Sequence, residues 1–191
     1  MTTPVLVITG PSGVGKGTLI RALRERLPGT ELSVSATTRR AREGEVNGVD
    51  YHFLPPEEFD RRVRAGEFVE HAEYAGNRYG TLRSELDRPA TLIVLEIDLQ
   101  GARQVRATMP EACQVFIAPP GDELGELERR LVQRGAESAE QIARRLEVAR
   151  AELAAQGEFQ HRIVNADREQ ATDELIRLAA TMCGPEARNA P

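Results

Sequence analysis

The stretch VLVITGPSGVGKGTLI, residues 5–20, decides the fold of this 191-residue chain. Its four leading apolar residues predict a buried strand, and the helix-forming run that starts at Lys16 predicts a helix. Between strand and helix, Gly10, Gly15 and Lys16 match the pattern G-x-x-x-x-G-K. In that pattern glycines turn backbone N–H groups inward around phosphate oxygens, and the helix N-terminus adds its positive end. We therefore expect a phosphate-binding loop in an α/β sheet.

One position of the loop departs from the usual pattern. The residue after Lys16 is Gly17, not the Ser or Thr whose hydroxyl normally binds Mg²⁺, and Thr18 comes next. Thr18 could instead bond a phosphate oxygen, which leaves Mg²⁺ mainly to the oxygens of ATP, to water and to a distant carboxylate. The protein ligand of the metal stays open at this point. The residues expected to bind the triphosphate are Gly10, Pro11, Ser12, Gly13, Val14, Gly15, Lys16, Gly17 and Thr18.

Composition argues against several function classes. The formal net charge of −5 disfavours generic binding of nucleic acid or phospholipid, which needs a basic face. Cys113 and Cys183 show no zinc or redox spacing and are expected to be reduced thiols, and His52, His71 and His161 lack metal-ligand spacing. No secretory leader and no apolar run of about 20 residues is found. We expect one soluble, cytoplasmic domain without a nucleic-acid or membrane partner.

Apolar runs alternate with helical runs along most of the chain, which predicts a parallel α/β sheet covered on both faces. Two segments interrupt the alternation, residues 33–80 and residues 121–150, and both are expected to be inserts around the core. The predicted strands are Val5–Ile8, Leu32–Ala36, Thr91–Ile97, Val115–Ala118 and Arg162–Val164. The predicted helices are Lys16–Leu27, Glu57–Ala65, Leu99–Thr108, Asp122–Gln133, Ala139–Ala154 and Glu169–Met182.

The run SVSATTRRAREGEVNGVDYHF, residues 33–53, has the groups needed to hold a second phosphate. Two guanidinium groups, of Arg39 and Arg42, and the phenol of Tyr51 can share one dianion. A charge cluster in a surface loop is usually only solvated, but in a chain with a triphosphate loop it becomes a candidate acceptor site. We therefore expect this run to bind a small phosphorylated acceptor.

Six stretches in this order carry a resemblance to a known family: GPSGVGKGT, SVSATTRRAREGEVNGVDYHF, EFVEHAEYAGNRYGT, LEIDLQGA, RRLVQRG and IVNAD. Over about residues 5–178 the chain closely resembles the guanylate kinases. The resemblance implies a P-loop nucleoside monophosphate kinase, which transfers the γ-phosphoryl group of ATP, bound with Mg²⁺, to GMP and also to dGMP in purine metabolism. It further implies a single domain with a core (1–32, 82–120 and 151–183), a mixed α/β GMP-binding insert (about 33–81), a helical lid (about 121–150) and a tail (184–191).

The resemblance also assigns residues to the acceptor. Those around the GMP phosphate and base are expected to be Ser35, Arg39, Arg42, Tyr51 and Tyr79, and those of the guanine-recognising inner site to be Glu70, Thr81, Glu96 and Asp98. The chemistry agrees, because guanine presents two adjacent donors, N1–H and N2–H, to one carboxylate, whereas adenine presents an acceptor at N1. The sequence does not settle which of Glu96 and Asp98 meets the base. We expect Asp98 there, and Thr18, Glu96 and Asp98 all stay open as metal ligands.

Lid arginines are expected to close on the phosphates of ATP. Arg130 and Arg134 share one face of a predicted helix, and Arg145 returns from the next helix. The resemblance matches all three with lid residues at the phosphates, and Asn165 with a residue near the adenine. Phosphoryl transfer to a phosphate that is already mostly dianionic needs charge stabilisation and no general base. The expected catalytic cations are Lys16, Arg39, Arg42, Arg134 and Arg145.

Two other functions stay open. Another small-molecule kinase of the same fold, such as a ribose bisphosphate kinase, would reuse the loop and lid on a sugar phosphate. A sugar offers no base for Glu70 to recognise, which disfavours that alternative. A non-catalytic guanylate-kinase-like module that binds phosphopeptides would need neither the complete loop nor the lid arginines. No obligatory protein partner is evident, and the sequence leaves the oligomeric state open.

Overall fold

A computed structural model describes residues 3–74, 76–134 and 139–183. Strands and helices alternate along most of the described chain. The strands are β1 (Val5–Thr9), β2 (Thr30–Leu32), β3 (Ala36–Thr37), β4 (His52–Phe53), β5 (Phe68–Tyr74), β6 (Asn77–Leu82), β7 (Leu92–Glu96), β8 (Cys113–Ala118) and β9 (His161–Val164). The helices are α1 (Lys16–Arg26), α2 (Pro56–Arg64), α3 (Leu99–Thr108), α4 (Glu123–Arg134), α5 (Ala139–Ala154) and α6 (Arg168–Met182).

Five strands form a parallel sheet in the order β2-β7-β1-β8-β9. β1 lies at the centre, with Val5 opposite Ile93 of β7. Every residue of β1 is buried, because its aliphatic side chains pack under helices on both faces. One of these helices is α1, whose Leu19 and Leu23 are fully buried in the same core. The predicted α/β class with a parallel sheet is confirmed.

A second sheet of four strands, in the order β4-β3-β6-β5, is formed by the segment from residue 36 to residue 82. β3 pairs parallel with β4 and antiparallel with β6, so this sheet is mixed. It has a small core of its own, in which Phe59 of α2 and Phe68 of β5 pack with ring centroids 4.5 Å apart. β4, β5 and β6 are not among the predicted strands, because β4 has only two residues and because polar and charged residues weaken the apolar pattern of β5 and β6.

The predicted strand Leu32–Ala36 is wrong as a single element. Leu32 ends β2 in the parallel sheet, whereas Ala36 begins β3 in the second sheet. Between them the backbone N–H of Val34 donates to Oε2 of Glu85 at 2.8 Å, not to a neighbouring strand. A run of apolar residues indicates that the side chains are buried, but it does not indicate in which sheet they lie. The other predicted strands and helices each have a counterpart whose ends differ by two residues or fewer.

The second sheet is held beside the carboxyl edge of the parallel sheet, where ligands bind in open α/β folds. β1 and β7 end next to each other at this edge, at Thr9 and Glu96. Helix α3 follows β7 and docks on β5 through Gln104. The Gln104 side chain accepts a hydrogen bond from the N–H of His71 at 3.1 Å and donates one to the His71 carbonyl at 2.7 Å. The fold therefore places β5 opposite the loop that follows β1.

Both cysteines, Cys113 and Cys183, are free thiols in this fold. Burial raises the pKa of each thiol, which keeps it in the unreactive protonated form. Among the helices of the described ranges, none is long and apolar enough to cross a membrane.

Candidate active site

The loop after β1 takes its shape from three glycines with positive φ, Gly10 at 139°, Gly13 at 89° and Gly15 at 103°. A β-carbon on Gly10 would collide with the carbonyl oxygen of Ile117 in β8, so only glycine fits there. Lys16 begins α1, and its ammonium group donates to the Gly10 carbonyl at 2.6 Å. The Lys16 side chain therefore folds back over the loop and is bound to the carbonyl group of its first glycine.

Two of the residues predicted to bind ATP, Arg130 of α4 and Asn165 after β9, brace the loop from behind. Nδ2 of the buried Asn165 donates to the Val14 carbonyl at 2.8 Å. Arg130 donates from Nη1 to the same carbonyl and from Nη2 to the Asn165 carbonyl, both at 3.0 Å. Neither side chain lines either of the two cavities, described below, that border the loop. In this conformation both residues hold the loop backbone.

Helix α5 reaches the loop with two side chains. Arg145 donates from Nη1 to Oγ of Ser12 at 2.9 Å. Two helical turns later, burial raises the pKa of Glu152 to about 7, although the charge of Lys16 and the Ser12 N–H act in the opposite direction. Oε2 of Glu152 is buried and has no hydrogen-bond partner among the described residues. Sequence reasoning missed Glu152, because an acid in a helix rich in Arg and Glu looks like an ordinary solvated charge.

A cavity of about 400 Å³ opens between the loop and the second sheet. Its walls come from the loop, the carboxyl end of β7, α5, β5 and β6. The lining residues that the sequence analysis predicted are Gly10, Ser12, Lys16, Ser35, Tyr51, Glu70, Tyr79, Glu96 and Asp98. Tyr74 and Glu152 also line it and were not predicted. The phosphate loop and the second sheet thus face each other across one space.

Glu70 on β5 is a deeply buried acid of this cavity, with 4% of its surface exposed. Its Oε1 accepts the hydroxyl of Thr81, on the neighbouring strand β6, at 2.8 Å. Burial raises the pKa of Glu70 to about 7, and the nearby charge of Asp98 adds to the increase. Asp98 caps α3, because its Oδ1 accepts the N–H of Gly101 at 2.8 Å. Two carboxyl groups with fixed positions thus offer acceptors to a ligand that carries N–H donors.

Arg39 and Arg42, two of the residues predicted to bind the acceptor phosphate, both contact Glu45. Arg39 pairs with Glu45 through both of its terminal nitrogens, at 2.8 and 2.9 Å, and lowers the pKa of Glu45 to about 2. The backbone N–H of Arg42 donates to Glu45 at 2.7 Å, while the Arg42 side chain is exposed. The Arg39 guanidinium lies 5.2 Å from the Tyr51 ring centroid, and the Tyr51 and Tyr79 rings are 6.1 Å apart. Glu45 was not predicted, because its charge looked like part of a solvated loop.

Glu96 connects this cavity with a second cavity of about 360 Å³ in front of the loop. The loop residues that line the second cavity include Lys16, Gly17 and Thr18. A β-carbon at Gly17 would lie 3.9 Å from Oε2 of Glu96, so this carboxylate faces the position where the usual hydroxyl is missing. Carboxylate and hydroxyl oxygens suit Mg²⁺, and Glu96 and Thr18 therefore fit a magnesium site. Within the described ranges no three His, Cys, Asp or Glu side chains form a metal site.

The remaining predicted residues line the second cavity, are buried behind the cavity walls, or have side chains outside the described part of the structure. Gly13 and Gly15 line the second cavity. Val14 and Thr81 are fully buried, and the carbonyl of Pro11 accepts the Val14 N–H at 3.2 Å. Arg134 ends α4, but its side chain lies outside the described part of the structure.

Comparisons with known proteins agree with this architecture. A family model described as guanylate kinase matches residues 2–181. A guanylate kinase of Frankia casuarinae is 57% identical over 175 residues, covering 90% of this chain and 94% of that protein. One of Thermosynechococcus vestitus is 52% identical over 184 residues, covering 95% and 94%. A solved guanylate kinase from Anaplasma phagocytophilum, 32% identical, matches with a TM-score of 0.74 over 98% of this chain and 89% of its own. The chain therefore belongs to the guanylate kinase family.

Proposed function

We propose that this chain transfers the γ-phosphoryl group of ATP to GMP, and also to dGMP, with the loop after β1 as donor site and the Glu70 wall as acceptor site. Membership of the guanylate kinase family supports the reaction. The observation that supports the residue roles is the single cavity in which a glycine loop faces a buried carboxyl group. A sugar phosphate offers that carboxyl group no base with adjacent N–H donors, which disfavours a sugar phosphate kinase.

On the donor side, Lys16 and the N–H groups of the loop bind the phosphates of ATP. The ammonium of Lys16 already lies 2.6 Å from the Gly10 carbonyl, so a short movement brings it to a phosphate oxygen. Arg145 reaches the same loop from α5 through Ser12, and the role of Arg134 as a second lid cation rests on the family resemblance. Arg130 and Asn165 contribute by fixing the Val14 carbonyl, which keeps the loop open for phosphate.

On the acceptor side, Glu70 and Asp98 recognise guanine through its N1–H and N2–H groups. Thr81 fixes one oxygen of Glu70 at 2.8 Å, and the Asp98 side chain is fixed as the cap of α3. Adenine is rejected because its N1 lone pair would meet a carboxylate. The GMP phosphate then lies near Arg39, Arg42, Tyr51, Tyr79 and Ser35. Arg39 exchanges part of its pairing with Glu45 for the phosphate when GMP binds.

Catalysis consists of charge stabilisation. Mg²⁺ that enters with ATP would be held on the protein side by Thr18 and Glu96, and when bound it neutralises phosphate charge. The attacking oxygen belongs to a phosphate that is mostly dianionic at neutral pH, so no side chain has to remove a proton. The groups that stabilise charge on the transferred phosphoryl group are Lys16, Arg39, Arg42, Arg134 and Arg145. Closure of the two inserts would keep water away from the γ-phosphate.

We also propose that the protein works in the cytoplasm, in purine nucleotide metabolism. The net charge of −5 argues against nucleic acid as a partner. No protein partner is required for the chemistry, because one chain supplies both walls of the cavity.

A coupled assay of ADP release tests the proposed function. The purified protein is given Mg-ATP with GMP, dGMP, AMP or ribose phosphates in parallel reactions. We expect rapid ADP release with GMP and dGMP and little release with AMP. A preference for ribose phosphates, or equal ADP release without any acceptor, would contradict the proposal.

A further inference from the structure

Gly101 is a glycine that the local backbone does not require. It is the third residue of α3, it is buried, and its φ lies outside the positive range that favours glycine. Glycine is a poor helix former compared with alanine. The hydrogen bond that its N–H donates to Asp98, at 2.8 Å, could be made by any residue except proline. A reason for glycine at this position must therefore come from outside the helix.

That reason is the side chain of Glu70. A β-carbon at position 101 would lie 2.5 Å from Oε2 of Glu70, 3.0 Å from Cδ and 3.4 Å from Cγ. A β-carbon essentially never lies within 3.0 Å of an atom to which it is not bonded, and a distance of 3.0–3.4 Å is already tight. All three of the nearest atoms belong to Glu70. The carboxyl group thus occupies the space that any other residue at position 101 would fill.

Neither side of this contact is free to withdraw. Gln104, one turn after Gly101, makes two hydrogen bonds to the backbone of His71, the residue that follows Glu70. Moving α3 away from β5 would break both bonds. On the other side, Oε1 of Glu70 is held by the hydroxyl of Thr81 at 2.8 Å. A methyl group at position 101 would therefore push the carboxyl group out of its place.

We propose that Gly101 determines the preference for guanine by leaving the space in which the Glu70 carboxyl group is held. Gly101 acts through Glu70 and is a positioning residue. The proposal rests on the proposed function, because it assumes that Glu70 recognises the guanine edge. It adds that the glycine of the LEIDLQGA stretch, which the sequence analysis quoted without assigning it a role, belongs to the recognition of the base.

The test is the kinetics of Gly101→Ala with GMP, IMP and ATP. IMP lacks the 2-amino group and can give the carboxylate only its N1–H. We expect kcat/KM for GMP to fall about tenfold to a hundredfold, as for loss of one bidentate base contact. The preference for GMP over IMP should shrink, while KM for ATP stays unchanged. Gly157→Ala is the matched control, because a β-carbon there has no neighbour within 4 Å, and it should change none of these values.

A double-mutant cycle shows whether the effect passes through Glu70. In a Glu70→Ala background the space is empty, so adding Gly101→Ala should have no further effect on GMP. An unchanged kcat/KM for GMP in Gly101→Ala would overturn the proposal, and so would an equal loss for GMP and ATP. Insoluble Gly101→Ala that Glu70→Ala does not rescue would also overturn it, because the clash would then lie elsewhere. Failure of the proposed function itself would be visible in the wild-type protein, as an absence of GMP turnover.

Discussion

The two walls of the cavity are built in different ways. The donor wall is one continuous stretch, residues 10–18, shaped by glycine backbone angles and by bonds to its own carbonyl groups. The acceptor wall is assembled from side chains on separate elements, with Glu70 on β5, Thr81 on β6 and Gly101 in α3. Damage to the first wall should affect phosphate binding for every acceptor, whereas damage to the second should change which nucleotide is accepted.

The largest effect should come from the donor wall. Lys16→Ala removes the one cation that the loop itself carries, and we expect kcat to fall about 10²–10³-fold with every acceptor. Steady-state kinetics with GMP and dGMP measure the loss. Arg24→Ala, an exposed basic residue on the same helix, is the control and should stay active. A loss confined to one acceptor would break the distinction between the two walls.

A smaller and more selective effect is expected in the acceptor wall. Glu70→Gln leaves only one acceptor atom for the guanine edge, so kcat/KM for GMP should fall about tenfold to a hundredfold while KM for ATP stays constant. Glu73 is an exposed acid on the same strand, and the control variant Glu73→Gln should leave kcat/KM for GMP and KM for ATP unchanged. If KM for ATP rose as much as KM for GMP, Glu70 would belong to the shared machinery and not to the acceptor wall.

The pH dependence should separate the walls further. Burial raises the pKa of Glu70 to about 7, and guanine needs the ionised form, so kcat/KM for GMP should fall as pH drops from 8 to 6, by up to about tenfold. The second pKa of the GMP phosphate is near 6 and contributes to the same fall. Burial raises the pKa of Glu152 to about 7 as well, so Glu152 contributes to the same pH range. The contribution of Glu70 is therefore the difference between the pH profiles of kcat/KM for GMP in the wild-type protein and in Glu70→Gln. Identical pH profiles would contradict the raised pKa of Glu70.

The smallest effect is expected behind the loop. Asn165→Ala removes one of the two side-chain donors to the Val14 carbonyl and leaves the bond from Arg130 at 3.0 Å. One such hydrogen bond contributes about 1 kcal/mol, so KM for ATP should rise roughly fivefold. KM for GMP should not change. An equal rise in KM for GMP would show that the loop and the acceptor wall move together.

The sequence predicted the backbone elements of the donor wall, but those of the acceptor wall only in part. The strand, the loop and the helix that starts at Lys16 are neighbours in the chain, so their pattern could be read directly. The second sheet was missed as a sheet because β3 and β4 have only two residues each, and because polar and charged residues interrupt the apolar pattern of β5 and β6. Glu152 was missed because nothing near it in the sequence separates a buried acid from an exposed one. The roles of the site residues remain predictions that the experiments above test.

By itself, the sequence determined the α/β class and the phosphate loop, because these depend on local pattern, and its resemblance to the guanylate kinases assigned the charged residues of the nucleotide sites. Tertiary structure decided which of these residues meet. It placed Arg130 and Asn165 behind the loop, brought Glu96 opposite Gly17 and seated Glu70 against Gly101. The physical reason is that burial and contact depend on how sheets and helices pack, and packing joins residues that are far apart in the chain.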